Sequence, residues 1–89
     1  MSCEQHKMVV EKYSGGSLQD LATDIGDLHY EALVTFLAHL SHKIEFDAMR
    51  DSEGGRPKLA SELLFAARSL EDATKSITKA LFISEPFMK

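Results

Sequence analysis

The sequence has little of several residue types that define other classes of protein. Of its 89 residues one is cysteine, Cys3, two are proline and none is tryptophan. A lone cysteine has no partner within the chain, so the sequence excludes an internal disulfide framework and a cysteine-based zinc site. This cysteine usage fits a reducing compartment.

Long apolar runs and a strong excess of one charge are also missing. No stretch approaches the roughly 18 apolar residues of a membrane span, and the first residues lack the apolar core of a signal peptide. We therefore expect a cytoplasmic protein with no membrane partner. The net charge is −4, and an acidic chain opposes the counterion release on which nucleic-acid binding rests. We expect no nucleic-acid partner.

What the sequence does contain is the pattern of a folded helical protein. It is 44% hydrophobic and 27% charged, and its glycines and prolines cluster so that two long stretches are interrupted only by Gly26. We predict an all-α fold in a single domain over 1–89. Its parts are an N-terminal segment over 1–16, helix one over 17–53, helix two over 57–83 and a tail over 84–89. A connection this short makes the helices a long antiparallel helical hairpin.

Local signals mark the ends of both helices. Ser17 is a good N-cap, and Asp20 stands where the acid of a capping box would be. Glycines 54 and 55 supply a stop, and Pro57 suits the first position of helix two. The second helix has a heptad pattern. Its predicted seam is Leu59, Leu63, Ala66, Leu70, Ala73, Ile77 and Ala80.

The two helices differ in length, so the start of helix one needs a cover. The C-terminal Phe87 and Met88, the N-terminal segment or a second chain could supply it. Within the N-terminal segment we favour a short helix over a strand, because a strand here would have no other strand to pair with.

Both helices carry more apolar residues than a lone hairpin can bury. In helix one Val34, Leu37 and Ala38 are expected to point away from the main face, and helix two repeats this with Leu64 and Phe65. A helix that is apolar nearly all round is buried on more than one side. We predict a homodimer in which two hairpins form a four-helix bundle. The predicted interface residues are Leu33, Phe36, Leu37, Leu64, Phe65 and Leu70.

Two alternatives to the homodimer remain open at this point. The chain's own terminal segments could cover these residues, or a different protein could bind the same surface.

The polar residues give two candidates for chemistry. His39, His42 and Glu45 follow one another at three-residue spacing, so they could share a metal ion, although solvated or interfacial histidines are the commoner case. Asp20, Asp24, Asp27 and Glu31 have the spacing of magnesium-binding acids but face away from the predicted core. A metal-dependent hydrolase of the all-α nucleotide pyrophosphatase class is therefore the alternative function. The leading prediction is a non-enzymatic interaction or regulatory module without a cofactor.

Opposite charges gather on the two helices. Asp20, Asp24, Asp27 and Glu31 make helix one acidic near its start, and Arg68, Lys75 and Lys79 make helix two basic near its end. In an antiparallel pair these regions are neighbours. We predict that they help to set the register, within the chain or across a dimer.

Overall fold

The computed structural model of the chain describes residues 6–13, 15–84 and 86. In these residues the chain forms a 3-10 turn, Glu11–Tyr13, and three α-helices: α1, Leu18–Gly26; α2, Tyr30–Glu53; and α3, Pro57–Ser84. The described residues contain no β-strand. Helices α2 and α3 pack along each other, which confirms the predicted all-α fold and helical hairpin. Within the same residues, no helix combines the length and apolarity needed to cross a bilayer.

The predicted helix starts are confirmed. The Ser17 hydroxyl oxygen accepts a hydrogen bond from the Asp20 backbone N–H at 3.0 Å, and the Asp20 carboxylate accepts one from the Ser17 N–H at 3.1 Å. These reciprocal bonds form the capping box of α1. Helix α3 begins at Pro57 as expected and ends at Ser84, one residue beyond the predicted end.

The single helix predicted over 17–53 is wrong, because the chain forms two helices with a short break between them. Gly26 ends α1, and the backbone N–H of Asp27 turns back to cap it. His29 then starts α2, since its ring nitrogen Nδ1 accepts a hydrogen bond from the Glu31 backbone N–H at 3.1 Å. Glycine disfavours a helix interior, and the two caps satisfy backbone groups that a continuous helix would have paired.

The turn between α2 and α3 is a Schellman motif. The Arg56 N–H donates to the Asp51 carbonyl oxygen at 2.8 Å, and the Gly55 N–H donates to the Ser52 carbonyl oxygen at 3.1 Å. Gly55 has a φ of +83°, which glycine adopts without a steric penalty. The Arg56 Nε also donates to the Asp51 carboxylate at 2.9 Å. The predicted glycine stop is confirmed and has an ion pair beside it.

The N-terminal segment contains less helix than we expected. Its only helical part in the described residues is the turn Glu11–Tyr13. The Tyr13 hydroxyl donates a hydrogen bond to the Asp24 carboxylate, so this turn is attached to α1. The cover expected from Phe87 and Met88 concerns residues outside the described part of the chain.

Candidate interaction surface

The hairpin is closed by small residues. In the described part of the chain only Ser41, Ala48, Ala60 and Ala67 are buried. The Ser41 hydroxyl donates a hydrogen bond to the Ala67 carbonyl oxygen at 2.9 Å, which joins α2 directly to the backbone of α3. No large side chain is buried between the two helices.

The spacing of these four residues fixes the register of the hairpin. Ser41 and Ala48 are one heptad apart on α2, as Ala60 and Ala67 are on α3. Because the helices are antiparallel and Ser41 bonds to Ala67, the same register brings Ala48 opposite Ala60. Small residues at each level let two helix backbones approach closely, so the large apolar side chains lie beside the line of contact rather than within it.

The predicted seam of α3 is therefore wrong at Leu59 and Ala66, which are exposed beside the buried Ala60 and Ala67, whereas Ala73 and Ala80 are half-buried like Thr74 and Leu81. Half-buried positions such as Leu63, Leu70 and Ile77 do lie towards α2. The central line, however, consists of two buried alanines and two half-buried residues, Ala60, Ala67, Thr74 and Leu81. The predicted central residues Leu59, Ala66, Ala73 and Ala80 each precede one of these and flank the line. Heptad spacing alone cannot separate two such neighbouring stripes when both are apolar.

On α2 the packed face also differs from the prediction. Val34, Leu37 and Ala38 are half-buried, whereas Phe36 and Leu40 are exposed. The expectation that the first three point away from the main face is wrong. They lie near Ser41 on the helix surface, and that serine is the buried centre.

The displaced apolar residues collect on one side of the hairpin. An α-helix turns about 100° per residue. Leu40, Phe36 and Leu33, which lie one, five and eight residues before Ser41, are therefore on one side of α2. On α3 the residues that precede Ala60, Ala67 and Thr74 are Leu59, Ala66 and Ala73. They are rotated about the helix axis, away from the central line, in the same direction as the three residues of α2. Antiparallel helices are related by an approximate two-fold axis perpendicular to their plane, so equal offsets fall on the same side. We call this set the apolar flank: Leu33, Phe36 and Leu40 of α2 with Leu59, Ala66 and Ala73 of α3.

The apolar flank remains accessible. Phe36 is 38% exposed, Leu40 is 37% exposed and Leu59 is 42% exposed. Neither α1 nor the N-terminal turn covers these side chains fully. Exposed apolar side chains gathered on one side of a protein commonly mark an interaction site.

The opposite side of the hairpin is more mixed. Phe46 and Phe65 each lie five residues after a buried residue, Ser41 or Ala60, and are offset in the other sense. Phe65 is 70% exposed. The Arg50 guanidinium lies 5.9 Å from the centre of the Phe46 ring, which is within the range of a cation–π interaction. This side therefore combines exposed aromatic residues with charges.

The six predicted interface residues fall into three groups. Leu37, Leu64 and Leu70 are half-buried close to the line between α2 and α3. Leu33 and Phe36 belong to the apolar flank. Phe65 lies on the opposite side, so these residues do not form one continuous surface. Missing from the prediction were Leu40, Leu59, Ala66 and Ala73, which an antiparallel register would have placed on the same side of the hairpin as Leu33 and Phe36.

The candidate metal ligands are not brought together. His39, His42 and Glu45 are exposed on α2. Among the residues that the structure describes, no group of three histidine, cysteine, aspartate or glutamate side chains is arranged to hold a metal ion.

The predicted attraction between acidic and basic stripes is not seen within the described chain. Its ion pairs are local: Lys7 with Glu11, Lys43 with Asp47, Asp51 with Arg56, and Asp72 with Lys75. In the last of these, Lys75, one of the basic residues near the end of α3, lies 3.9 Å from Asp72 of the same helix. Pairing across a dimer stays a prediction.

A polar cleft lies at the start of α1. It has a volume of about 460 Å³ and is lined by Tyr13, Asp20, Thr23 and Asp24 with two glycines. The hydrogen bond to Asp24 raises the pKa of the Tyr13 phenol, with smaller contributions from burial and from the negative charge of Asp24. The Asp20 carboxylate is already engaged by the capping box. The acids of this cleft therefore serve local structure.

Comparison of the chain with protein-family models, with curated proteins and with solved structures found no match.

Proposed function

We propose that this chain is a non-enzymatic helical interaction module that works as a homodimer, in which two hairpins form a four-helix bundle. The observation that carries the proposal is the contrast between the buried central line of serine and alanine and the large apolar side chains that remain exposed on the surface of the hairpin. The large residues along the contact between α2 and α3, such as Leu37 and Leu70, are only half-buried. The apolar flank and the exposed aromatic residues of the opposite side therefore leave apolar surface that a second copy would bury.

The total surface supports a partner. The chain exposes 7233 Å², whereas a compact monomer of its mass exposes roughly 5,200 Å². Its radius of gyration is 15.7 Å, against about 12 Å for a compact chain of this length. The excess of roughly 2,000 Å² is larger than the ~800 Å² that each partner buries in a standard interface. The chain has enough uncovered surface to form a stable dimer.

Energetics favour apolar association over charge pairing. Burial of a large apolar side chain contributes about 1.5–3 kcal/mol, whereas an exposed ion pair contributes about 0–1 kcal/mol. Phe36, Leu40 and Leu59 are about two-fifths exposed, so complete burial would add roughly 0.6–1.2 kcal/mol for each of them. Charged residues near the flank would tune register and solubility.

Sedimentation equilibrium of the purified full chain tests this proposal. We expect twice the chain mass of 9.9 kDa at micromolar concentration, with a reversible shift towards the single-chain mass on dilution. A single-chain mass throughout that range contradicts the homodimer.

Metal analysis of the same sample separates the proposal from the hydrolase alternative. Near-stoichiometric metal that His39→Ala or His42→Ala removes would favour the enzyme class. Metal below one-tenth of stoichiometry is the result expected for an interaction module.

A further inference from the structure

We infer that the second copy packs on the apolar flank with both hairpin turns at the same end, so that α2 of each chain lies on α3 of the other. This inference rests on the proposed function, because it specifies the geometry of the same dimer. Its central contacts would join Phe36 to the partner's Ala73 and Leu40 to the partner's Ala66.

The first support is the uneven size of side chains across the flank. The α2 half carries the large residues Leu33, Phe36 and Leu40. At the same levels the α3 half carries Ala66 and Ala73, seven residues apart, beside the line of Ala60 and Ala67, and its one large residue, Leu59, lies nearer the turn. A helix with projecting side chains fits a helix with small ones at the same levels, as in the interdigitation of packed helices. The flank is therefore complementary between its halves.

The second support is the level of these residues along the hairpin. The Ser41–Ala67 hydrogen bond sets the register, and it places Phe36 within one residue of the level of Ala73. It also places Leu40 within two residues of the level of Ala66. A two-fold axis parallel to the hairpin leaves every residue at its own level. Each large residue then meets the partner's alanine without a shift of either chain.

The other stacking order lacks this fit. A two-fold axis across the hairpin would put α2 on α2 and α3 on α3, with the turns at opposite ends. Phe36 and Leu40 would then face the same large residues of the partner, while alanine faced alanine. One half of the interface would be overfilled and the other left with gaps, and both faults are destabilising.

Charge favours the apolar flank over the opposite side of the hairpin. Between Leu33 and Ile44 on α2, and between Leu59 and Ala73 on α3, the charged residues offset towards the flank are Lys43 and Glu62, which have opposite charges. The acids at its turn end already have partners, since Asp47 pairs with Lys43 and Asp51 pairs with Arg56. The opposite side would bring Arg68 into the interface, and this residue has none of the ion pairs found in the described chain, whereas burial of a charge is costly unless it is paired.

Exchange of side-chain size tests the contact. Phe36→Ala and Ala73→Phe should each raise the dimer dissociation constant at least about tenfold. The double variant Phe36→Ala/Ala73→Phe should restore it to within about threefold of the native value, because the large side chain moves to the other half of the same contact. Phe65→Ala is the matched control on the opposite side, and it should leave the constant unchanged.

The orientation is measured on a chain whose flank is intact. A spin label at position 53 of a Cys3→Ser/Glu53→Cys variant reports the distance between the two turns by pulsed electron resonance. Turns at the same end give a separation below about 25 Å. Turns at opposite ends give about 36 Å or more, the length of a 24-residue helix at 1.5 Å per residue. This measurement does not depend on the folding of the flank variants.

The outcomes separate the two proposals. A single-chain mass for the native protein overturns both the homodimer and this geometry. A dimer with widely separated labels, or one that Phe65→Ala dissociates while Phe36→Ala does not, overturns the geometry and leaves the homodimer. A dimer with close labels and restoration by the size exchange supports both.

Discussion

The Ser41 hydroxyl lies 2.9 Å from the Ala67 carbonyl oxygen and donates a hydrogen bond to it across the hairpin. The bond connects the middle of α2 to the backbone of α3, and both residues are buried. A side chain can reach a neighbouring helix backbone in this way only where the two helices are close. The bond therefore reports both the register and the narrow spacing of the pair.

Ser41→Ala should destabilise the hairpin moderately. The variant loses one buried hydrogen bond but keeps the small size of the side chain, so the expected cost is about 0.5–1.5 kcal/mol. Urea unfolding followed by circular dichroism, at one fixed protein concentration, measures it. Ser76→Ala changes an exposed serine of α3 and serves as the control. Equal costs for the two variants would show that the Ser41 bond contributes nothing.

Ala60→Leu should destabilise the hairpin more strongly. Ala60 is 4% exposed, so a larger side chain there has to push α2 and α3 apart, at a cost of about 1–3 kcal/mol. Ser61→Leu places the same side chain at the adjacent exposed position and should change stability by no more than about 0.5 kcal/mol. Thermal unfolding at matched concentration compares them. A neutral Ala60→Leu variant would contradict the close approach of the helices.

Gly55→Ala should weaken the turn through its backbone alone. A methyl group added at Gly55 meets no atom within 4 Å, but the residue has a φ of +83°. An L-residue in the left-handed region costs about 1–2 kcal/mol. Gly54 has an ordinary φ of −83°. The methyl group added in Gly54→Ala would displace only the end of the Arg56 side chain. Chemical unfolding should therefore show the larger loss for Gly55→Ala, and the reverse order would be inconsistent with the observed turn.

The break between α1 and α2 should close when its causes are removed. In Gly26→Ala/His29→Ala the first change gains about 1 kcal/mol of helix propensity, and the second removes the side-chain cap of α2. Carbon-13 chemical shifts of Asp27 and Leu28 should move to helical values. Gly15→Ala, outside the helices and with no atom near the added methyl group, should leave those shifts in place. Unchanged shifts in the double variant would assign the break to another cause.

The contact between Tyr13 and Asp24 should persist to high pH. The pKa of Tyr13 is raised above its ordinary value of 10.0, chiefly by its hydrogen bond to Asp24. A raised pKa in the folded chain means that the contact stabilises α1 below the unfolded pKa of the phenol. This stabilisation is lost as the pH rises through the folded pKa.

Absorbance at 295 nm measures that titration in a Tyr30→Phe variant, which has Tyr13 as its only tyrosine. Addition of Asp24→Ala should return the pKa of Tyr13 towards 10.0. Asp27→Ala, which removes an acid with no hydrogen bond to the phenol, should leave it raised. A titration midpoint unaffected by Asp24→Ala would contradict the contact.

The sequence predicted the parts of the fold that depend on local chemistry. Ser17 with Asp20, the two glycines of the turn and Pro57 act through their own backbone, so their roles were visible without tertiary information. The cap at His29 was not visible, because histidine is not among the usual N-cap residues. The break it helps to form therefore stayed hidden within an otherwise regular apolar pattern.

The candidate surface was predicted less well, for a different reason. Alanine and leucine are both apolar in a periodicity count, so the pattern could not show that Ala67 is central and Ala66 peripheral. That choice depends on how closely α2 and α3 approach. Leu33 and Phe36 were predicted as interface residues, and that role stays a prediction, whereas Phe65 was grouped with them although it lies on the other side.

The line of small residues has a consequence for how the protein responds to its own concentration. The fully buried centre of the hairpin is three alanines and a serine, which contribute less hydrophobic free energy than large side chains would. When a second copy covers the apolar flank, folding and assembly share most of their driving force. Dilution then lowers the stability of the folded dimer relative to the unfolded chains. The melting temperature should therefore rise with each tenfold increase in protein concentration.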